Sequence, residues 1–385
     1  MIKYLGSKRT LLPELLAVVE RLAAAVRGAG ASSRPEAPAA TVADLFSGTA
    51  RVGHALKGAG YRVLSNDHNV YAATLARCYV QADAEEVAEP AAALVREFKV
   101  LPGRPGYFTE TFCERSRFFQ PHNGARVDAI REAIAAKALP PELEAVMLVS
   151  LMEAADRVDS TTGLQMAYLK SWAKRSGNDL ELRVPAVLPR AAGGKGRATC
   201  LEAVDAAAAF ADPVEGGCDV VYLDPPYNQH SYLGNYHVWE SLVRWDKPPV
   251  YGVACKRTDV RERKSDFNSR PRCAAAFREV LDTLHAPAVV VSFNDEGYLA
   301  RPDLEAMLGA LWGGRGRVTT LSHDFKRYVG AQIGIHDLNG RKVGRVGKLR
   351  NTEYIYVATR EDVAACLGPL DDLTAAAIDP QKSFF

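Results

Sequence analysis

The sequence has no apolar run approaching the ~18 residues that a membrane-spanning helix needs. Its opening, MIKYLGSKRT, lacks the apolar block and small-residue cleavage site of a secretory signal. Together these absences predict a soluble, cytoplasmic protein. CxxC pairs are also missing. The seven cysteines are scattered from Cys78 to Cys366, a spacing that argues against a disulfide framework or a zinc site. Reduced thiols and no metal are expected. Neither sign of charge is in large excess: 48 Lys and Arg against 46 Asp and Glu leave a formal +2, so global charge does not announce a nucleic-acid partner. Internal repeats are absent. What remains, 385 residues of which 48% are hydrophobic, can bury a full core in one large domain or two smaller ones.

The positive charge is unevenly placed. Residues 170–197 hold seven Lys and Arg against two acids, 255–272 seven against three, and 315–350 nine against two. Solvated loops can have this character, but three basic stretches between apolar segments fit loops gathered over a phosphate backbone. Residues 11–26 space Leu12, Leu15, Leu16, Val19 and Leu22 as a helix does. A flexible linker by composition follows at 28–40. Next come a strand at 41–46, a helix to Ala59, a strand at 61–67 and a helix at 69–80, the rhythm of a parallel α/β sheet. From 85 to 197 the signal is mainly helical. Strand signals return at 198–204, 218–224 and 288–294, with helices at 274–284 and 303–312. Residues 317–325 and 351–359 can pair antiparallel around a basic loop. The tail after Arg360 is uninformative.

Asp224-Pro225-Pro226-Tyr227, closing the strand CDVVYLD, carries the most specific chemistry. An exocyclic amine on a base is a poor nucleophile because its lone pair is delocalised into the ring. A carboxylate and a backbone carbonyl that accept its hydrogens draw the nitrogen toward tetrahedral geometry and free that pair. Two prolines hold the carbonyl rigidly, since their φ is fixed. Such positioning lowers a barrier by several kcal/mol. A tyrosine beside them can stack on a base rotated out of the duplex. The bland alternative is a strand ending in a proline turn.

Asp44-Leu45-Phe46-Ser47-Gly48-Thr49-Ala50-Arg51-Val52-Gly53 joins a strand to a helix through small residues, so a ligand can approach the backbone. It is related to a nucleotide-binding turn but departs from GxGxxG. Asp67, closing the next strand, is placed to bind ribose hydroxyls or to cap the helix that follows.

The order of these motifs resembles the DNA adenine methylase family, which includes the Dam-type enzymes. KYLGSKR (3–9) comes first, then DLFSGTARVG (44–53), SND (65–67), a helical insertion and DPPY. The resemblance extends to YFTETFCERSRFFQPHNGARVDAIR (107–131), LVSLMEAADRVDSTTG (148–163), NYHVWESLVRWDKP (235–248), KSDFN (264–268) and SFNDEG (292–297). It implies a Rossmann-like, S-adenosyl-L-methionine-dependent methyltransferase fold, with a catalytic domain of 1–84 and 198–360 and a target-recognition insertion at 85–197. It further implies site-specific transfer to the amino group of adenine in double-stranded DNA, with base flipping. Catalytic roles fall to Asp224, Pro225, Pro226 and Tyr227. Cofactor contacts fall to Tyr4, Lys8, Asp44, Phe46, Ser47, Gly48, Asp67, Glu202 and Asp224, with Lys8 facing the methionine carboxylate and Ser47 standing where a second glycine is usual.

Asn235, Tyr236 and His237, read as a loop after DPPY, are candidates for the flipped base or nearby phosphates, or for loop packing. Arg327, Arg341, Lys342, Arg345 and Lys348 are candidates for a DNA-contacting loop. No cysteine has the Pro-Cys setting that carbon-5 methylation of cytosine needs. Rival readings are methylation of RNA bases or cytosine amino groups, and a DNA-binding regulator without catalysis. Whether a cognate restriction nuclease or other phage-defence component acts alongside is left open, as is the recognised DNA sequence.

Overall fold

The computed structural model describes residues 1–6, 8–211, 217–326, 350–370 and 373. Nine strands are present among them: β1 (Thr41–Asp44), β2 (Arg62–Asn66), β3 (Arg197–Thr199), β4 (Val220–Leu223), β5 (Val250–Tyr251), β6 (Lys256–Arg257), β7 (Ala288–Asn294), β8 (Arg317–Lys326) and β9 (Arg350–Thr359). β5 and β6 form a small antiparallel ribbon. The other seven make one sheet in the order β3-β2-β1-β4-β7-β9-β8. Its first five strands are parallel; β9 runs antiparallel between β7 and β8. The expected Rossmann-like sheet is therefore present, with the antiparallel unit of 317–325 and 351–359 paired as the sequence predicts.

The central strands are buried on both faces, so they read as continuous apolar runs. Successive residues go to opposite cores. Val42, Val220 and Val290 face one apolar cluster; Ala43, Val221 and Val291 face the other. The first cluster is completed by α1 (Leu12–Gly28), α2 (Arg51–Gly58), α3 (Val70–Ala76), α4 (Ala84–Lys99), α5 (Pro121–Ala136), α6 (Pro141–Arg157) and α8 (His237–Arg244). The second is closed by α7 (Ala203–Phe210), α9 (Cys273–Thr283) and α10 (Arg301–Gly309).

The structure differs from the sequence expectations in four places. α3 ends at Ala76, and Arg77–Gln81 continues as a π turn. The insertion is helical only to Arg157. From there to Gly196 the chain is irregular apart from a short 3-10 turn at Lys174–Gly177, as Gly163, Pro185, Pro189 and the Gly193-Gly194 pair would dictate. α4, α5 and α6 share one apolar cluster with α1, α3 and the sheet, so the insertion has no separate core. Finally, the uninformative tail begins with a helix, α11 (Glu361–Cys366), whose Val363 is fully buried in the same cluster.

Candidate active site

β2 and β4 flank β1, so the chain leaves β1 toward one side and returns on the other. In open α/β sheets a ligand crevice forms outside the carboxyl ends of strands at such a reversal. Here a cleft lies there, lined by residues from the N-terminal segment and the turns after β1, β2, β3 and β4. Tyr4, Lys8, Asp44, Phe46, Ser47, Gly48, Asp67, Glu202 and Asp224, all expected at a cofactor site, line this one cleft, and Pro226 joins them.

The turn after β1 lets the cleft floor come close. Gly48 has φ +51°, and a Cβ there would meet the Tyr4 ring at 3.3 Å. The second left-handed position is Ala50, at φ 59°, so Ala50 and not Ser47 stands where glycine would be unstrained. A non-glycine residue in that region costs about 1–2 kcal/mol. Asp67 ties this turn to the next one: one carboxylate oxygen accepts Gly48 N–H at 3.0 Å, the other accepts Asn69 N–H at 2.9 Å. It thus supports the start of α3, whose Tyr71 N–H is taken by buried Glu240 from α8 at 3.0 Å. Arg263 neutralises Glu240 at 2.8 Å and forms part of the cleft wall.

The cleft holds several groups with no hydrogen-bond partner among the described residues. The Ser47 hydroxyl and Nε of Arg51 are buried and unsatisfied, and both oxygens of Asp44 are buried with only weak, poorly aligned contacts to the backbone N–H groups of Phe46 and Gly53. Burial, reinforced by the Asp224 and Asp67 charges, pushes the Asp44 carboxyl up to about 8. Native interiors rarely leave such groups unpaired unless a ligand or water completes them.

Asp224, at the end of β4, is held by Lys8 at 3.0 Å. Lys8 also reaches Glu353, near the start of β9, at 3.5 Å. Burial alone would lower the lysine, but Asp224 and Glu353 hold it well above its ordinary value. Burial pushes Asp224 up to about 6 despite Lys8, and Glu353 adds to the rise. With two carboxylates already on its ammonium, Lys8 is the partner of Asp224 in this structure. The carboxylate-binding role implied for it would bring a third negative charge to the same point.

Aromatic rings close the N-terminal side. Tyr4 stacks on Tyr236 (4.6 Å between centroids, 13° between planes) and on Tyr232 (5.2 Å, 11°). Tyr227 is half-buried, edge-on to Phe293, and its carbonyl accepts Tyr298 N–H at 2.9 Å. The KSDFN stretch forms the opposite wall: Phe267 meets Phe46 edge-on at 5.1 Å, and the Asn268 amide donates to the carbonyls of Asn228 (2.7 Å) and His230 (3.2 Å), pinning the chain that leaves DPPY.

Three candidates are misplaced by the sequence reading. Asn235 ends a one-turn helix (Tyr232–Asn235), and His237 begins α8. Asn235, Tyr236 and His237 are all buried, which removes them from direct DNA contact. Tyr236 accepts Leu5 N–H at 2.6 Å, and His237 bonds the Gln165 carbonyl at 2.9 Å. Burial drives His237 down to about 3, so it carries no charge toward a phosphate. Their role is packing, and through Tyr236 the support of Tyr4. Much of the basic charge is likewise committed: Arg175 to Asp159, Arg190 to Asp83 and Glu86, Arg257 to Asp246 and Asp259. Arg327, Arg341, Lys342, Arg345 and Lys348 lie outside the described residues.

Glu353, Tyr232, Arg263 and Asn268 were not singled out from sequence. Glu353 has no local signal, since one acid near the start of a strand is unremarkable. KSDFN was noticed, but its task becomes visible only when it is seen against DPPY.

The family model for D12 class N6 adenine-specific DNA methyltransferases matches residues 4–292. The modification methylase StsI of Streptococcus sanguinis is 27% identical over 323 residues, covering 80% of this chain and 46% of the relative. The type II methyltransferase M.FokI of Planomicrobium okeanokoites is 28% identical over 326 residues, covering 80% and 46%. The type II methyltransferase M.NlaIII of Neisseria lactamica is 28% identical over 266 residues, covering 67% and 75%. The chain thus spans about half the length of the first two. On the breadth of the family match, which takes in the cleft, DPPY and the parallel part of the sheet, this chain belongs to the D12 class N6 adenine-specific DNA methyltransferase family.

Proposed function

We propose that this chain transfers a methyl group from S-adenosyl-L-methionine to the exocyclic amino group of adenine within a specific site in duplex DNA. The observation that carries the reading is that Asp224 and Pro226 line the same cleft as the buried Asp44 carboxyl, Ser47 hydroxyl and Arg51 Nε. A weakly held acid and an unsatisfied hydroxyl and base around one cleft suit a ligand that carries both charges, as the amino-acid tail of this cofactor does. Asp67, its carboxylate oriented by Gly48 and Asn69, would bind the ribose hydroxyls. Glu202, paired with His68 at 3.5 Å, would contact the cofactor adenine.

When bound, the cofactor supplies an electrophilic methyl group. Asp224 accepts one hydrogen of the target amine, and a backbone carbonyl of the proline turn accepts the other. The nitrogen thereby regains its lone pair. As it gains the methyl group it must lose a proton, and Asp224, whose carboxyl burial pushes up to about 6, is the adjacent base. Tyr227 offers a ring to the extruded base. A cognate nuclease fits the type II modification methylases among the relatives.

The test is tritiated methyl transfer from S-adenosyl-L-methionine to DNA, to RNA and to DNA with N6-methyladenine at the target, using this chain and its Asp224→Ala variant. Label should enter unmodified DNA only, and the variant should fold yet lose turnover. Label in RNA alone, or full activity of the variant, would overturn the reading. Methylation-sensitive long-read sequencing then gives the recognised site.

A further inference from the structure

Lys8 contacts two carboxylates that are far apart in the chain. Asp224 follows β4; Glu353 comes from β9, which enters the sheet between β7 and β8. In register, Glu353 lies opposite Asn294 at the carboxyl end of β7, the strand beside β4, so the topology delivers it to the edge of the cleft. Lys8 is 6% exposed, and the side chains of Asp224 and Glu353 are 19% and 16% exposed. One oxygen of Glu353 is buried with no hydrogen bond among the described residues beyond its charge contact with Lys8.

We propose that Glu353 is a positioning residue of the methyl-transfer site, sharing the Lys8 ammonium with Asp224 and so setting where the Asp224 carboxylate sits and how readily it takes a proton. This inference rests on the methyl-transfer reading above. An ammonium held at one carboxylate alone would be drawn fully onto it, leaving Asp224 a poor acceptor for the proton the amine must lose. A second carboxylate shares the ammonium and adds its own repulsion, and both effects favour protonation of Asp224. The remaining groups around Asp224 are Tyr222 from β4, Tyr227 from the proline turn, Tyr232 from the one-turn helix and Asp44 from β1. Burial keeps the three phenols neutral. Asp44 carries no counter-charge, so Lys8 and Glu353 are the opposing controls.

The experiment is a carboxyl-carbon NMR titration of Asp224 in cofactor-free protein, its resonance identified by loss in Asp224→Asn. Glu353→Gln should lower the Asp224 midpoint by about one unit, a tenfold fall in proton affinity. Glu353→Asp, which keeps the charge, should leave it near the wild-type value. In single-turnover methyl transfer the acid limb of Glu353→Gln should move the same way, with turnover reduced and the KM for DNA unchanged. An Asp224 midpoint that stays put in Glu353→Gln overturns the proposal, as does an equal shift in Glu353→Asp. Wild-type protein that transfers no methyl group would sink the proposed function instead, and the titration would still decide the role of Glu353.

Discussion

Replacing Asp44 with Asn should abolish most of the stability that the cofactor-free protein loses as the solution becomes alkaline. Asp44 is 1% exposed, the backbone N–H groups of Phe46 and Gly53 offset its burial only in part, and its neighbours Asp224 and Asp67 carry charge of the same sign. Its carboxyl is pushed from an ordinary 3.8 up to about 8. An acid raised on folding binds its proton more tightly in the folded state. Its contribution therefore favours folding at low pH and is lost as the pH rises from about 4 to about 8. A shift of about four units corresponds to an upper bound of roughly 5 kcal/mol, which water entry and local relaxation reduce. Asn keeps the shape and has no charge to bury. Denaturant unfolding of cofactor-free wild type and Asp44→Asn from about pH 5 to about pH 9 makes the comparison, with other raised acids such as Asp156 common to both. The wild type should fall by several kcal/mol more than the variant. Parallel losses would refute the reasoning and show that Asp44 finds a partner in solution.

Tyr227→Ala should strongly lower methylation, and Tyr227→Trp should retain much of it, because stacking on an extruded base is worth about 1–3 kcal/mol and needs a ring and not a hydroxyl; equal losses, read with 2-aminopurine at the target position, would indicate a contact through the hydroxyl. Neutralising Arg341, Lys342, Arg345 and Lys348 together should weaken binding to all DNA sequences alike and flatten its salt dependence, since each phosphate contact releases counterions; a change of site preference at constant non-specific affinity, measured by fluorescence anisotropy, would mean that the stretch reads bases.

The parallel half of the sheet was legible in sequence because its strands are short, apolar and bounded by turns. β7 was read residue for residue, and β8 and β9 were paired by length and alternation alone. The cleft was legible through DLFSGTARVG and DPPY because small residues and prolines leave a local signature. What escaped notice depended on partners far away in the chain. Asn235, Tyr236 and His237 are polar enough to pass for a surface loop, yet in the interior the Leu5 N–H meets the Tyr236 hydroxyl and the Gln165 carbonyl meets His237 Nε2. The basic stretches likewise look free until Asp83, Asp159 and Asp246 are found across from them. Helical composition persists past Arg157, but prolines and glycines there decide against continued helix.

β9 is ninth in sequence but sixth across the sheet, with older neighbours on both sides. During synthesis the ribosome releases β7 long before β9, so β7 waits with an open edge and Lys8 with only one of its two acids. The cleft reaches its finished electrostatics only when residues near 353 have emerged. A polypeptide interrupted earlier would carry DLFSGTARVG and DPPY and still lack the strand that joins β7 to β8.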